Sequence, residues 1–372
     1  MHPLTLGRLR VSAVVERAGP TPPTWLLPDA SPDALERHRA WLAPHFLDDG
    51  GRLLQSIHTF VVAAPGLTVL VDTCVGNDKD RCGRRPFHMM RTAFLDDLRA
   101  AGIAPEAVDV VLCTHLHVDH VGWNTRLDGG RWVPTFPRAR YLFVRREWEH
   151  WSSERDESTE RIMADSVQPV LDAGLAHLVD ADHRVSDEIW LEPTPGHTPG
   201  HVSVRLRSEG VDGVITGDLM HHPIQLAEPQ WASSFDSDPE QARKTRRAFC
   251  ERYAGSSVTV LGTHFHHPTA GRIVRHGDAW RLVVAGTTER AAGPGRAEAG
   301  YGRIAWSDGP GWRNGAARLA NSQRSGRVFR GSTISSIQNV SAERKGERSL
   351  VRRVSISAIF ALGSGAASIS AR

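Results

Sequence analysis

Apolar residues recur along the first three quarters of the chain with the spacing of buried strands and of amphipathic helices. Short runs rich in Val, Leu, Ile and Thr, bounded by Gly and Pro, predict strands. In chain order these runs are GRLRVSAVV, SIHTFVVAA, LTVLVDTCVG, VDVVLC, RYLFVRREW, HVSVRLR, GVITGD and SVTVLGTH. Because they alternate with helical segments, they predict an α/β fold.

Three segments carry the apolar spacing or the terminal residues of a helix. They are SPDALERHRAWL, MMRTAFLDDLRAAG and DPEQARKTRRAFCERYAG. The last has the clearest ends, because Asp238 is a suitable N-cap, Pro239 fits the first helical position and Gly255 lies beyond the end. The pattern therefore predicts both the presence and the start of this helix.

The pattern divides the chain into two parts. Residues 5–283 alternate strand and helix signals and are predicted to form one domain. Residues 284–372 are rich in Gly, Arg, Ser and Ala and have no apolar period, so we expect a disordered tail. A basic tail can touch nucleic acid or acidic lipid, but solvated disorder is the favoured interpretation.

Composition adds limits on partners and compartment. The chain has 372 residues, of which 40% are hydrophobic and 23% charged, which is typical of a globular protein. A net charge of +3 does not by itself indicate a nucleic-acid partner. The sequence has neither a signal-peptide pattern nor an apolar stretch of membrane-spanning length. We therefore expect a soluble, cytoplasmic protein that acts on a small molecule, with no nucleic-acid or membrane partner.

The cysteines predict neither a disulfide framework nor a cysteine-based zinc site. There are four, and none are paired as CxxC. Cys74 and Cys82 are close enough in sequence for one disulfide. Cys113 ends a predicted buried strand and is expected to be an inert core thiol.

The stretch THLHVDHVGWN, residues 114–124, follows the predicted strand VDVVLC directly. His115 and His117 are two positions apart, so in an extended loop their rings point the same way and can bind one ion. Asp119 and His120 diverge from that pair and can reach a second ion. Imidazole with carboxylate suits zinc, and also iron or manganese. A surface loop that contains histidines by chance is the less favoured interpretation.

Three more candidate ligands lie where other predicted strands stop. TPGHTPGH supplies His197, VITGDLMHH supplies Asp218 and VLGTHF supplies His264. Ends of buried strands are where an α/β scaffold gathers functional side chains from distant parts of the chain. His266 and His267 crowd His264, so the choice among these three rests on a motif match.

The order THLHVDH, GHTPGH, GD and GTH resembles that of the metallo-β-lactamase-fold hydrolases, across residues 5–283. The HxHxDH set without a cysteine ligand is most similar to the quorum-quenching lactonases and the methyl-parathion-hydrolase-like enzymes. The resemblance implies an αββα sandwich, in which two sheets are covered by helices on both outer faces and two metals lie at one edge.

The resemblance also implies a ligand set and a reaction. His115, His117 and His197 would bind the first metal, Asp119, His120 and His264 the second, and Asp218 would bridge them. Two divalent ions are expected, Zn²⁺ first, with Mn²⁺ and Fe²⁺ as alternatives. A metal-bridging hydroxide would cleave a small ester, lactone or phosphotriester, with Asp119 also orienting the nucleophile and passing a proton.

Several other residues have two interpretations each. Asp72 either orients a ligand histidine or caps a strand, and His201 is expected to be structural. His221 and His222 either face substrate or lie in an exposed loop. Trp123 and Trp231 form either a pocket wall or part of the core. The Pro-rich segment AGPTPPTWLLPDA and the region after Asp218 are candidates for pocket walls.

Other functions on the same scaffold are less favoured. An iron-dependent dioxygenase similar to the persulfide dioxygenases is the first alternative, and metal identity and count separate it from a hydrolase. A nuclease is expected to carry an additional substrate-clamping domain or arm, and residues 5–283 offer none. A non-catalytic binding module conflicts with the complete ligand set.

Overall fold

The computed structural model describes residues 3–83 and 85–284. The predicted tail beyond Val284 lies outside the described residues. The strands are β1 (Leu4–Leu6), β2 (Leu9–Thr21), β3 (Leu53–Ala64), β4 (Leu67–Val71), β5 (Val110–Leu112), β6 (Thr125–Asp128), β7 (Arg131–Pro134), β8 (Arg140–Val144), β9 (Ala176–Val179), β10 (Ile189–Pro193), β11 (Val202–Ser208), β12 (Val211–Ile215), β13 (Thr259–Leu261), β14 (Ala270–His276) and β15 (Ala279–Val284). The α-helices are α1 (Pro23–Leu26), α2 (Pro32–Leu42), α3 (Phe94–Ala100), α4 (Arg145–Ser153), α5 (Glu157–Ile162), α6 (Gln168–Asp172), α7 (Ile224–Ala227) and α8 (Pro239–Tyr253).

The strands form two large sheets and one small hairpin. The first sheet has seven strands in the order β1-β2-β3-β4-β5-β8-β9. The second has six in the order β10-β11-β12-β13-β14-β15, and β6 pairs with β7 alone. In the first sheet β4, β5, β8 and β9 are parallel to one another. In the second sheet β12 and β13 are parallel.

Three apolar clusters show that the two sheets are stacked between helices. In β4, Val69 and Val71 belong to the cluster between the sheets, whereas Leu70 packs outward with α3. In β12, Ile215 faces the other sheet, whereas Val214 packs outward with α2 and α8. Successive strand residues point to opposite faces, so strands buried on both faces read as continuous apolar runs. The predicted αββα sandwich is confirmed.

The start of α8 agrees with its sequence signal. The Asp238 side chain accepts a hydrogen bond from the backbone N–H of Gln241, and Pro239 occupies the first position. The sequence predicts too early a start for α3, because this helix begins at Phe94. The segment before it is instead tied down by side chains, since Asn77 both accepts from and donates to the backbone of Thr92.

The suggested Cys74–Cys82 disulfide is wrong, since all four cysteines are free. Cys74 is buried in the core beneath the first sheet, whereas Cys82 is exposed. Cys113 is buried as expected, and burial holds the pKa of its thiol well above the usual range. Within the described part of the chain, no helix has the length and apolar character needed to cross a membrane.

Candidate metal centre

The loops that follow four strands meet at one edge of the sandwich. Carboxyl ends of parallel neighbours share an edge, which groups the loops after β12 and β13. β10 points the same way as β12, because two antiparallel steps through β11 restore the direction. All seven predicted ligands lie in these loops: His115, His117, Asp119 and His120 after β5, His197 after β10, Asp218 after β12 and His264 after β13.

Three ring nitrogens converge in a first group. Nε2 of His115 lies 3.0 Å from Nδ1 of His117, and Nε2 of His197 lies 3.0 Å from the same atom. Donors bound to one zinc ion at about 2.0–2.1 Å are separated by roughly 3.0–3.4 Å. The spacing of His115, His117 and His197 therefore fits the donors of one ion.

A second group lies beside the first. Nε2 of His120 is 3.7 Å from Oδ1 of Asp119, and Nε2 of His264 is 3.6 Å from Oδ2. The Asp119, His120 and His264 donor atoms all lie within 4.8 Å of one another. This is the second trio that the resemblance implied.

Asp218 lies between the two groups. Its Oδ2 atom is 3.5 Å from Nε2 of His197 and 3.8 Å from Nε2 of His115. Its Oδ1 atom is 3.2 Å from Nε2 of His264. Oδ2 also lies 3.3 Å from Nε2 of His120, in the second group. The carboxylate thus contacts donors of both groups, as a bridging ligand must.

The charges and unpaired atoms of this cluster fit a bound cation. Burial holds the pKa of His115 and His117 well below the usual range, so both rings are neutral donors. Burial opposes ionisation of Asp218, but the neighbouring histidines, His120 and His264 foremost, hold its pKa well below the usual range. Nε2 of His120 and Oδ1 of Asp218 are buried without a hydrogen-bond partner among the described residues. Such atoms are costly unless a ligand satisfies them.

His197 is held by a residue that sequence reasoning missed. Its Nδ1 is hydrogen-bonded to Oδ1 of Asp236 at 3.0 Å. A proton on Nδ1 leaves the Nε2 lone pair free for a metal. Oδ2 of Asp236 accepts from the Ser233 backbone N–H at 2.9 Å and lies 3.6 Å from the Arg246 guanidinium, so the carboxylate is itself fixed.

Asp72 and His201 support other ligands. Oδ2 of Asp72 lies 3.0 Å from Nδ1 of His120, and its Oδ1 accepts from the Thr114 backbone N–H at 2.8 Å. Of its two interpretations, contact with a candidate ligand is therefore observed. Nε2 of His201 accepts from the Asp218 backbone N–H at 2.8 Å. A Cβ at Gly217 would lie 2.5 Å from that same nitrogen, which explains the glycine before Asp218.

Glu147, in α4, joins two of the ligand loops and was also missed. Its Oε1 atom accepts from the Gly200 backbone N–H at 2.6 Å, and Oε2 accepts from the Leu116 backbone N–H at 3.4 Å. Oε2 also accepts from the Trp151 indole at 2.7 Å. The Trp151 ring lies 5.0 Å from the His117 ring, centroid to centroid. Neither residue carries a local sequence signal, because α4 reads as a charged surface helix.

Three other ambiguous residues lie in the interior rather than in the site. Trp123 is buried, stacks on Phe94 and donates to Glu16, so it is core rather than pocket wall. Trp231 belongs to the core between the second sheet and its helices. His222 is neither exposed nor in the site, because both ring nitrogens are bonded to backbone groups, those of Phe46 and Ile224.

Aromatic residues from the predicted wall segments approach the metal loops. The Trp25 ring, from the Pro-rich segment, lies 4.9 Å from the Phe235 ring, centroid to centroid. Phe235, from the region after Asp218, lies 6.3 Å from the His221 ring. Phe235 therefore lies beside His221, in the loop that follows Asp218, and Trp25 packs against Phe235.

Asp236→Asn should lower metal affinity about tenfold, because it removes the charge that holds His197 in its metal-binding tautomer. Isothermal titration calorimetry of the metal-free protein with Zn²⁺ measures the metal affinity. Asp238→Asn is the matched control: Asn caps a helix as well as Asp does, so affinity should stay unchanged. Equal zinc affinities in the wild type and Asp236→Asn would show that Asp236 does not position His197.

Comparison with known proteins identifies the family of this chain. The family model described as metallo-beta-lactamase superfamily matches residues 53–252. An N-acyl homoserine lactonase of a Bacillus species is 29% identical over 112 residues, covering 30% of this chain and 38% of the lactonase. Metallo-beta-lactamase domain-containing protein 1 of Xenopus laevis is 26% identical over 231 residues, 62% of this chain and 78% of that protein.

Solved structures share the fold. The hydrolase AbOPH, of the beta lactamase superfamily, has a TM-score of 0.64 at 23% identity, covering 77% of this chain and 98% of its own. AidC, a dizinc quorum-quenching lactonase in complex with a product, has a TM-score of 0.64 at 18% identity, with the same coverage. The four-layer sandwich and the histidine-rich edge mark the class of protein to which this chain belongs. The chain is a member of the metallo-beta-lactamase superfamily.

Proposed function

We propose that the protein is a dinuclear metal-dependent hydrolase of a small ester, lactone or phosphotriester, with a lactone as the first candidate. The observation that carries this proposal is the pair of three-residue donor groups that share Asp218. A mononuclear site would need only one of these groups. The second group therefore favours a hydrolase over a mono-iron dioxygenase.

His115, His117 and His197 would hold one ion, Asp119, His120 and His264 the other, and Asp218 would contact both. Two divalent ions at such a site lower the pKa of a water molecule and polarise a carbonyl or phosphoryl oxygen. The ligand set suits Zn²⁺ first, with Mn²⁺ and Fe²⁺ as alternatives.

Asp119 is the candidate for proton handling. Its side chain is 18% exposed, against 4% for that of Asp218. Because it is the more accessible carboxylate, it can orient an attacking water and then pass a proton to the leaving oxygen. Asp218, enclosed by histidines, keeps its charge and holds the two groups together.

The substrate class follows from the aromatic residues and from the relatives. Trp25 and Phe235 give the site an apolar side, which suits a neutral substrate with an acyl or aryl group. Similarity to N-acyl homoserine lactonases supports a lactone, although the matched stretch covers 30% of this chain.

The test compares four substrates on metal-free and reconstituted protein. Acid release would be followed by pH-stat with an N-acyl homoserine lactone, an aryl ester, a phosphotriester and a β-lactam. We expect the lactone to be cleaved fastest. Chelation should lower its rate on the order of 10³-fold, since metal activation contributes several kcal/mol, and Zn²⁺ or Mn²⁺ should restore it. No turnover of any of the four with two ions bound would contradict the proposal, and dioxygen consumption by iron-loaded protein would favour the dioxygenase.

A further inference from the structure

His221 contacts the metal centre although it belongs to neither three-residue group. Its side chain is 5% exposed, and Nε2 lies 3.2 Å from Oδ2 of Asp218. That separation is shorter than those of His197 and His115 from the same oxygen, 3.5 Å and 3.8 Å. The side chain is therefore at least as close to the shared carboxylate as two candidate ligands are.

The backbone of His221 is fixed in this position from both sides. Its N–H donates to Oε1 of Gln225 at 2.7 Å, and its carbonyl accepts from Nε2 of Gln55 at 3.2 Å. Its ring lies parallel to that of His264, at an interplanar angle of 4° and a centroid distance of 5.7 Å. The ring is thus held at the edge of the cluster, with Nε2 directed at Asp218.

The hydrogen bonds of His221 differ from those of a structural histidine. Neighbouring His222 is also buried, and both of its ring nitrogens are bonded to backbone groups. In His221, by contrast, Nδ1 has no hydrogen-bond partner among the described residues. The donor atoms of His197, Asp218 and His221 all lie within 4.8 Å of one another. Nε2 of His221 therefore lies among the donor atoms of the metal centre, where an additional ligand would lie.

We propose that Nε2 of His221 is an additional metal ligand, at the position defined by His115, His117 and His197. This inference rests on the metal centre of the proposed function. It gives that position four imidazoles, whereas the other position has two imidazoles and Asp119. The Asp218 carboxylate contacts donors of both positions.

The two positions would then differ in metal preference. Imidazole ligands favour zinc, cobalt and other late first-row ions, whereas carboxylate ligands also suit manganese. The nitrogen-rich position should therefore fill first and bind Co²⁺ more tightly. Removal of His221 should weaken the binding of the first ion and leave the binding of the second largely unchanged.

Cobalt titration of the full-length protein tests this directly. Metal-free protein would be titrated with Co²⁺ against a chromophoric chelator, while the visible d–d absorption of the bound ion is followed. We expect His221→Phe and His221→Asn to weaken the tighter step at least about tenfold and to change its absorption spectrum. The second step should change less than about threefold. His222→Gln, which removes an adjacent imidazole bonded only to backbone, should leave both steps unchanged.

The outcomes separate this inference from the proposed function. If the wild type bound no Co²⁺, the proposed metal centre would fail, and the inference with it. If the wild type bound two ions and neither His221 variant changed the first step, only the inference would be overturned. Equal weakening of both steps would also overturn it, because His221 would then position Asp218 rather than bind an ion. Denaturant unfolding of the metal-free variants checks that they remain folded.

Discussion

Asp218→Asn should reduce metal-dependent hydrolysis on the order of 10³-fold or more. The Asp218 carboxylate contacts donors of both three-residue groups, so the substitution removes charge from both metal positions at once. Metal activation of water and substrate contributes several kcal/mol to the transition state, and each 1.36 kcal/mol is worth about tenfold in rate. Steady-state kinetics measures the rate, and elemental analysis after gel filtration should find fewer than two bound ions.

The matched control is Asp187→Asn, an exposed carboxylate outside the metal loops, which should keep full activity and metal content. The isosteric change at Asp218 keeps the shape of the side chain, so the metal-free protein should stay folded, and denaturant unfolding checks this. A variant that retained wild-type activity with two ions bound would show that Asp218 is not a shared ligand.

Ligands in short motifs at strand ends could be predicted from the sequence. His115, His117, Asp119 and His120 occupy six consecutive positions after a strand, so covalent proximity alone brings them close together. For Asp218 and His264 the strand signal fixes the end of the sheet at which they lie. His197 follows β10, which the apolar pattern does not predict. The structure brings all seven predicted ligands together, and their role as metal ligands stays a prediction.

Residues that act across long sequence separations could not be predicted in this way. Asp236 and Glu147 contact the ligand loops from a loop and from α4, and no local pattern distinguishes them from surface carboxylates. Trp123 shows the converse error. Its position beside the HxHxDH motif suggests a pocket wall, but its side chain contacts Phe94 and Glu16 in the interior. Tertiary packing determines whether such a side chain lies in the site or in the core, and the apolar period of the sequence does not contain that information.

The loop after β5, which carries four of the candidate ligands, packs against residues 74–75, and no local sequence pattern predicts this contact either. The Gly122 N–H donates to the carbonyl of Cys74 at 2.7 Å. A Cβ at Gly122 would lie 1.9 Å from both the carbonyl carbon and the oxygen of Val75. Glu16 holds this segment in place, because it accepts hydrogen bonds from the backbone N–H of Val75 at 2.7 Å and from the Trp123 indole at 2.6 Å. The neighbouring backbone therefore has little freedom to move away from an added methyl group.

Gly122→Ala should destabilise the protein by about 4 kcal/mol or more, at the upper end of single substitutions, because backbone atoms rather than a flexible side chain occupy the space. It should also weaken metal binding, since His120 lies two residues away in the same loop. Denaturant unfolding of the metal-free protein measures the first effect and zinc titration the second. Gly19→Ala is the matched control, because an added Cβ meets nothing within 4 Å there and φ is not positive; its free energy of unfolding should change by less than about 1 kcal/mol. If Gly122→Ala unfolded at the same denaturant concentration as Gly19→Ala, the tight contact between the metal loop and Val75 would not exist in solution.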